Sequence, residues 1–444
     1  YGMKTGLLAS WQNPSSSLWF VPAILTGCAF VLASVMTNIR AFPGGDDVDP
    51  PDWLYNGSAS EARDLLETLL SSLITLTTLA ISITMVVLSL AASQLGPRLI
   101  RAFMGDRRTQ VVLGIFLAAI VYVLLVLRQV DGKLPDDEIP QLAVTLGTMS
   151  AMGCLGLLFF FVHHLGRSVV ADSVVQRVGT ELDQSIDRIL PRWEETPPAD
   201  TVFTPTAPAT LRLPHGGYVQ AIDYDAITHC AEESDVVVLL NFRPGHHLLP
   251  GGIHGKVDPA DKFDEAFAAR VARAVTVGLE RTPVQDIEYC MRQLVEVALR
   301  ALSPGINDPN TAIAAIDRLG RSMALVMTRR TLPETIRDAG GRLRVVRPVS
   351  TFAGLMDAAF NQIRQAGESK PSILIRQLES LAALATLAPT QEHCRQCAVH
   401  AAMILGAGRR CVPEPRDLQA VEAAYEAVTA ELRIAGVPPD DADR

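Results

Sequence analysis

The chain has 444 residues, enough for two or three domains, and carries a net charge of −9, which argues against bulk nucleic-acid binding. Hydrophobic residues make up 48% of it, and the mean hydropathy of +0.22 is high for a protein dissolved in water. The apolar excess is concentrated before about residue 166, so the sequence predicts membrane spans followed by a soluble part.

Four runs are long and apolar enough to be read as helices crossing a hydrocarbon core about 30 Å thick. The first covers about 18–39, entered by Trp19 and Phe20 as interfacial aromatics, with Pro22 in the first turn where its missing N–H costs little. Tyr1-Gly2 ahead of Met3 reads as an appended dipeptide. This first run lacks a small-x-small cleavage site and reads as a retained span, not a cleaved signal. The second covers about 65–95. Ser58-Ala59-Ser60-Glu61 ahead of it is a capping-box pattern, and Gly96-Pro97 marks its end. It exceeds the core thickness and must tilt or project. The third covers 111–127 and the fourth about 142–162. The runs read as free of charge inside their apolar stretches, which weighs against a proton-driven transporter.

Orientation follows from the short loops. Arg98, Arg101, Arg107 and Arg108 lie between spans two and three with only Asp106 opposing; Arg167 and Arg177 follow span four and Lys4 precedes span one. The positive-inside rule puts these sides, and both termini, in the cytoplasm. The other two loops are acidic (Asp46, Asp47, Asp49, Asp52; Asp131, Asp136, Asp137, Glu138).

Span two carries the pattern of greatest interest. Thr68, Ser71, Thr75, Thr78, Ser82, Ser89 and Ser93 recur at spacings of three, four and seven and so share one helix face; Thr77 and Thr84 form a second row. Small hydroxyl residues suit close helix–helix contact. In an oligomer the same face can line a permeation path, where hydroxyls replace part of an ion's hydration. Ser71, Thr75, Thr78, Ser82, Ser89 and Ser93 are the pore-lining candidates. Arg98, Arg101, His163 and His164 are the cytoplasmic-mouth candidates, and the histidine pair reads either as a pH sensor or as ordinary interfacial polarity.

The soluble part begins with a helical pattern over 171–189 and a Pro-rich linker to about 214. Residues 215–258 read as a small β-rich module, with strands at 218–222 and 236–240 around a short helix at 223–231. The layout about Pro244 to Gly251 resembles the barrel-sandwich hybrid modules of lipoyl and biotinyl carriers. No lysine lies between Gly217 and Gly255, so a structural or interaction module is expected instead of a carrier. His246, His247 and His254 read as turn histidines lacking companion ligands. The remainder, 259–435, reads as helical. Asp258-Pro259 is expected to open one helix, Thr282-Pro283-Val284-Gln285 a second to about Leu302, and Asp308-Pro309 a third to about Arg329. Ser303 to Pro309 reads as a tight corner; Asp308 would repel an anion there. Arg281 is placed to pair with a nearby carboxylate. His393, Cys394, Cys397 and His400 fall on one helical stretch, which cannot by itself close a tetrahedral zinc site, so core cysteines are expected. The seven cysteines are scattered and predict no disulfide framework. The tail 436–444 reads as disordered. No phosphate loop, nucleophile elbow or metalloprotease motif is present, and neither enzyme activity, a cofactor nor a metal is expected.

Several segments together resemble the DUF2254 family of predicted bacterial membrane proteins. They are Ser17 to Pro22, Ile81 to Arg98, Thr109 to Gly114, Gly217 to Asp223, Glu280 to Thr282 and Gln293 to Pro309. The resemblance implies a bacterial inner-membrane location and carries over no catalytic residues. The resulting expectation is a mainly α membrane protein with four transmembrane helices and a cytoplasmic α+β domain. Its function is expected to be that of a homo-oligomeric channel or channel-like transporter passing small ions, with lipid as its other partner. A membrane-anchored sensor or scaffold is the alternative.

Overall fold

The computed structural model describes residues 19–38, 53–95, 106–130, 135, 139–168, 171–192 and 203–435. The protein is mostly helical, and it divides into two compact units, one made of the described residues up to 168 and one of those from 171 on.

Among the described residues the first unit is a bundle of four helices: α1 (Phe20–Met36), α2 (Ala59–Leu95), α3 (Arg107–Gln129) and α4 (Gln141–Ser168). Three of them, α2, α3 and α4, are long and apolar enough to cross a membrane; α1 is a shorter apolar helix of 17 residues. The capping box forms as its spacing predicts. Glu61 Oε2 accepts from the Ser58 backbone N–H, and Ser58 Oγ accepts from Glu61 N–H. At 37 residues, α2 is about 55 Å long by the helical rise. Glu67, inside the run read as span two, is exposed and pairs with Arg63 at 3.0 Å, so the charge-free stretch of α2 begins only after it.

Helix α3 is the centre of the bundle and touches each of the other three. It buries Val112, Phe116, Ala119, Tyr122, Val123 and Val126. Its Gly114 explains how α1 comes so near: a Cβ there would sit 2.7 Å from Leu25 Cδ1 and 3.1 Å from Pro22 Cα. With lipid on the outside as apolar as the inside, such close backbone approach is what drives helices together. Tyr122 Oη donates to Ala143 O on α4 at 3.1 Å, and the Tyr55 backbone N–H donates to Thr145 Oγ1 at 2.9 Å, tying the loop before α2 to α4.

The second unit opens with α5 (Ala171–Ile189), whose apolar face carries Val174, Val175, Val178, Leu182 and Ile186. Strands β1 (Ala209–Leu211), β2 (Gly217–Ile222), β3 (Val237–Leu240), β4 (His247–Leu248), β5 (Gly255–Asp258), β6 (Val275–Gly278), β7 (Thr335–Arg337) and β8 (Leu343–Val346) follow. They form two sheets, ordered β1-β5-β3-β8-β7 and β4-β2-β6. All pairs are antiparallel except β3 with β8, which run parallel with Val238 opposite Val345. The 217–257 stretch is thus not a closed module. Its strands divide between the sheets, and both sheets are completed from the stretch expected to be helical. A central strand such as β3 needs a partner on each edge, and β8 supplies the second.

Helices α6 (Tyr224–Glu233) and α7 (Glu265–Arg273) lie beside the sheets. Helices α8 (Ile287–Ala301), α9 (Pro309–Met327), α10 (Phe352–Ala366), α11 (Pro371–Leu387), α12 (Gln391–Cys411) and α13 (Pro415–Ile434) form the helical part. Asp308 caps α9 through Asn310 and Thr311 N–H, with Pro309 at the first position, as expected. Two expected starts differ. Asp258 opens no helix; it ends β5, and its carboxylate accepts from the backbone N–H groups of Thr206 and Ala207, while Asp264 caps α7. Asp286, not Thr282, caps α8 through Tyr289 N–H; Gln285 instead exchanges two hydrogen bonds with the backbone of Ile222. Those bonds satisfy the end of β2 that the two-residue strand β4 does not reach, which a capping box could not do. Cys394, Cys397 and His400 are buried on α12, and all seven cysteines are free thiols.

Candidate functional site on the outward face of the second helix

The side chains of α2 divide sharply by face. Ala62, Leu66, Leu73, Thr77 and Ala80 are buried in the bundle. Thr68, Ser71, Thr75, Thr78, Ser82 and Ser89 are all exposed. At about 100° per residue the two sets lie half a turn apart. The hydroxyl row therefore looks directly away from the chain's own bundle and is not a contact between its own spans. Apolar Ile74, Ile81 and Met85 flank it on one side, Leu79 and Val86 on the other, all exposed. The second row, Thr77 and Thr84, points the other way; Thr77 is buried and Thr84 half-buried.

Most of these hydroxyls are bonded to their own helix. Thr68, Thr75, Thr78 and Ser82 donate to the carbonyls of Asp64, Ser71, Ile74 and Thr78 at 2.8–2.9 Å. Thr77 and Thr84 do the same at 2.7 Å. A back-bonded hydroxyl keeps its oxygen lone pairs available while its proton is already satisfied in an apolar surrounding. The row offers acceptor oxygens outward, the chemistry a cation or a water file would meet.

At one end of the bundle α3 begins and α4 finishes. His163 is exposed; His164 turns inward and its Nε2–H donates to Asp106 Oδ2 at 2.8 Å, with Phe160 stacked on the ring at 6.0 Å. Asp106 also accepts from Thr109 Oγ1 and from the Arg108 backbone N–H, and so caps α3. Burial pushes its carboxyl up, but the bonds from His164 and Thr109 outweigh that and hold it below the usual carboxylate range. The two adjacent histidines thus have different settings: His164 links α4 to the start of α3, while His163 is exposed. In the sequence Asp106 stands as a charge opposing arginines; its signal as a functional residue is its place just before an apolar helix. Arg98, Arg101, Gly96-Pro97, Lys4, the acidic residues of the two loops and the tail lie outside the described residues, as do the side chains of Ser93 and Arg167.

The histidines of the second unit have separate settings. His254 is buried, and its Nδ1 accepts from Leu213 N–H at 2.9 Å. His247 is exposed and packs edge-on against Tyr218, and His246 is half-buried. Among the described residues no three His, Cys, Asp or Glu side chains gather as a metal ion requires.

The sequence profile described as "Predicted membrane protein (DUF2254)" matches residues 15–383. An uncharacterized protein of Mycobacterium bovis and one of Mycobacterium tuberculosis are each 32% identical over 384 residues, which covers 83% of this chain and 72% of theirs. No solved structure matches. The chain belongs to the DUF2254 family. It is a membrane protein whose apolar helices contact bilayer lipid.

Proposed function

We propose that the protein is a homo-oligomeric channel, or channel-like transporter, of the bacterial inner membrane that passes small ions and is not an enzyme. In this reading all four helices of the bundle cross the bilayer, with both termini in the cytoplasm. The α2 helices of several copies surround the path, and the second unit assembles or gates it. The observation that supports the reading is the direction of the hydroxyl row. Its face is turned away from the other helices of its own bundle, so within the bilayer it meets lipid, water or another copy. Lipid gains nothing from such a row, whereas water and ions do.

A membrane-anchored sensor or scaffold is the second reading, favoured by one feature: the back-bonded hydroxyls are already satisfied and tolerate lipid at little cost. Electrical recording from purified protein in planar bilayers separates the two. The channel reading expects currents that Ser82→Leu together with Ser89→Leu reduces or abolishes. Unaltered currents in that variant would remove α2 from the path, and silence of the native protein would leave the anchor reading.

A further inference from the structure

A second cluster lies wholly within the second unit, at the carboxyl ends of the two parallel strands. Because β3 and β8 run the same way side by side, the chain leaves both at the same end of the sheet. The segment after β3 brings Arg243, Gly245 and His246; the segment after β8 brings Arg347 and Ser350. The start of α8 adds Asp286 and Glu288.

The polar contacts form a connected set. Arg243 Nη2 donates to Glu288 Oε1 at 2.6 Å and its Nη1 to Ser350 Oγ at 2.9 Å; Ser350 Oγ donates to the same Glu288 oxygen at 3.3 Å. Arg292 approaches the other Glu288 oxygen at 3.7 Å. Arg281 gives Asp286 two bonds, at 2.6 and 2.8 Å. The Arg281–Asp286 pair closes around Gly245, whose φ is +90°; a Cβ there would fall 2.2 Å from Asp286 Oδ2 and 2.8 Å from Arg281 Nη2. No residue but glycine fits that position.

Arg347 stands apart from this pairing. Its guanidinium lies 4.1 Å from the centre of the Tyr224 ring, and its Nε donates to Pro333 O at 3.4 Å. Among the described residues it has no carboxylate partner, although it is half-buried. Tyr224 itself lies in the field of both Arg347 and Arg243. Arg243, Arg281, Arg292 and Arg347 outnumber the carboxylates of Asp223, Asp286 and Glu288. The helix N-termini nearby are not what is left open, since Asp223, Asp286 and Thr351 cap them.

We propose that this end of the sheet binds a phosphate group, with Arg347 as the principal ligand and Arg243, Ser350 and the Tyr224 hydroxyl completing its surroundings. A guanidinium presents a planar fork of donors matched to phosphate oxygens, and here one is held in place by an aromatic ring with its charge unmatched. Glu288 keeps Arg243 oriented, and the carboxylate's burial, with 9% of its side chain exposed, fixes that geometry before a ligand arrives. The site does not depend on the channel reading. Within that reading it supplies the second unit with a chemical stimulus.

Isothermal titration of the full-length protein in detergent, at low ionic strength, with inorganic phosphate and separately with acetate, tests the assignment. Native protein should bind phosphate more tightly than acetate. A third arm with a soluble phosphomonoester separates the sources: competition with phosphate means that the group is read as part of a larger ligand, and no competition that the free ion is read. Arg347→Gln should weaken phosphate binding about tenfold or more, the loss of one charge-assisted contact. Arg347→Lys should restore only part of it, because charge returns without the fork. Ser350→Ala, which removes one hydroxyl and leaves the Arg243–Glu288 pair, should weaken it several-fold and covers the case in which Arg347 variants fail to fold. Arg409→Gln, on the exposed surface of α12, should change nothing. No phosphate binding by the native protein, equal affinity for acetate, or unchanged affinity in both Arg347→Gln and Ser350→Ala would overturn the proposal.

Discussion

The two units solve the problem of specific packing by opposite means. In the membrane unit the interior is mainly apolar, with Thr77, Thr109, Gln110 and Thr145 as buried polar residues among those described, and cross-helix polar links include Tyr122 to Ala143 and His164 to Asp106. Close approach at Gly114 sets the position of α1. In the second unit buried charge fixes helix registration. Arg318 of α9, with 3% of its side chain exposed, gives two bonds to Asp183 of α5, and Ser322 donates to the same carboxylate at 2.7 Å. Gly179 makes room for that guanidinium. The difference comes from the solvent. Water makes apolar burial the main driving force, so charges are free to select one arrangement; lipid removes that force and leaves contact distance and single hydrogen bonds to decide.

The contrast is broken most severely at Arg318. Arg318→Ala removes both guanidinium bonds from the Asp183 carboxylate, which keeps its Ser322 bond and partial exposure, and should cost about 3 kcal/mol, seen as a large fall in the thermal midpoint of the second unit. A midpoint within a degree of the native value would mean that the pair does not order α5 on α9.

A pH effect of similar size is expected from one buried imidazole. Burial holds His400 down to about 4, with Asp357 only partly opposing. The unfolded chain protonates this ring near 6.5, whereas the folded one stays neutral to about 4. The stabilisation is therefore fully present above about 6.5 and is lost as pH falls through that window, by about 3 kcal/mol in all. Stability measured between pH 7 and 4 should fall more steeply for the native protein than for His400→Gln; identical slopes would contradict the assignment.

In the membrane unit the expected effects are smaller. Gly114→Leu should push α1 off α3 and cost about 1–3 kcal/mol, the usual range for overpacking. Heat stability in detergent would show it, and an unchanged value would mean that α1 has another seat. Smallest is the link at the bundle's end. A double-mutant cycle on Asp106→Asn and His164→Leu should give a coupling of about 1 kcal/mol. Zero coupling would reduce His164 to an interfacial residue like His163.

What is legible in the sequence follows the same division. Ser58 with Glu61 and Asp308 with Pro309 mark helix starts that are readable, but the same Asp-Pro pattern at Asp258-Pro259 misleads, because the Asp258 carboxylate is taken by the backbone N–H groups of Thr206 and Ala207. Where two caps compete within a few residues the pattern cannot choose: Thr282 and Asp286 both qualify, and the winner depends on Gln285 being taken by β2. Strands β6, β7 and β8 escape notice because three or four residues carry too little period to register and they lack the unbroken apolar run, Val236 to Leu240, that marks the equally short β3. For α2 the spacing gives the row of hydroxyls but not its direction. The opposite face, with Ala62, Leu66 and Ala80, is equally regular, and only packing against α3 and α4 tells which one turns inward. The Arg243–Glu288 pair joins residues 45 apart in sequence and has no local signature.

The outward direction of the hydroxyl row on α2, and the water it would meet in an oligomer, is the central claim, and cysteine accessibility tests it most directly. The probes are Ser82→Cys and Ser89→Cys, compared with Ile81→Cys on the apolar flank, in reconstituted vesicles exposed to a water-soluble thiol reagent. Both row positions should react quickly, and Ile81→Cys, facing lipid, far more slowly. Row positions that react no faster than Ile81→Cys would place the hydroxyls in lipid and contradict it.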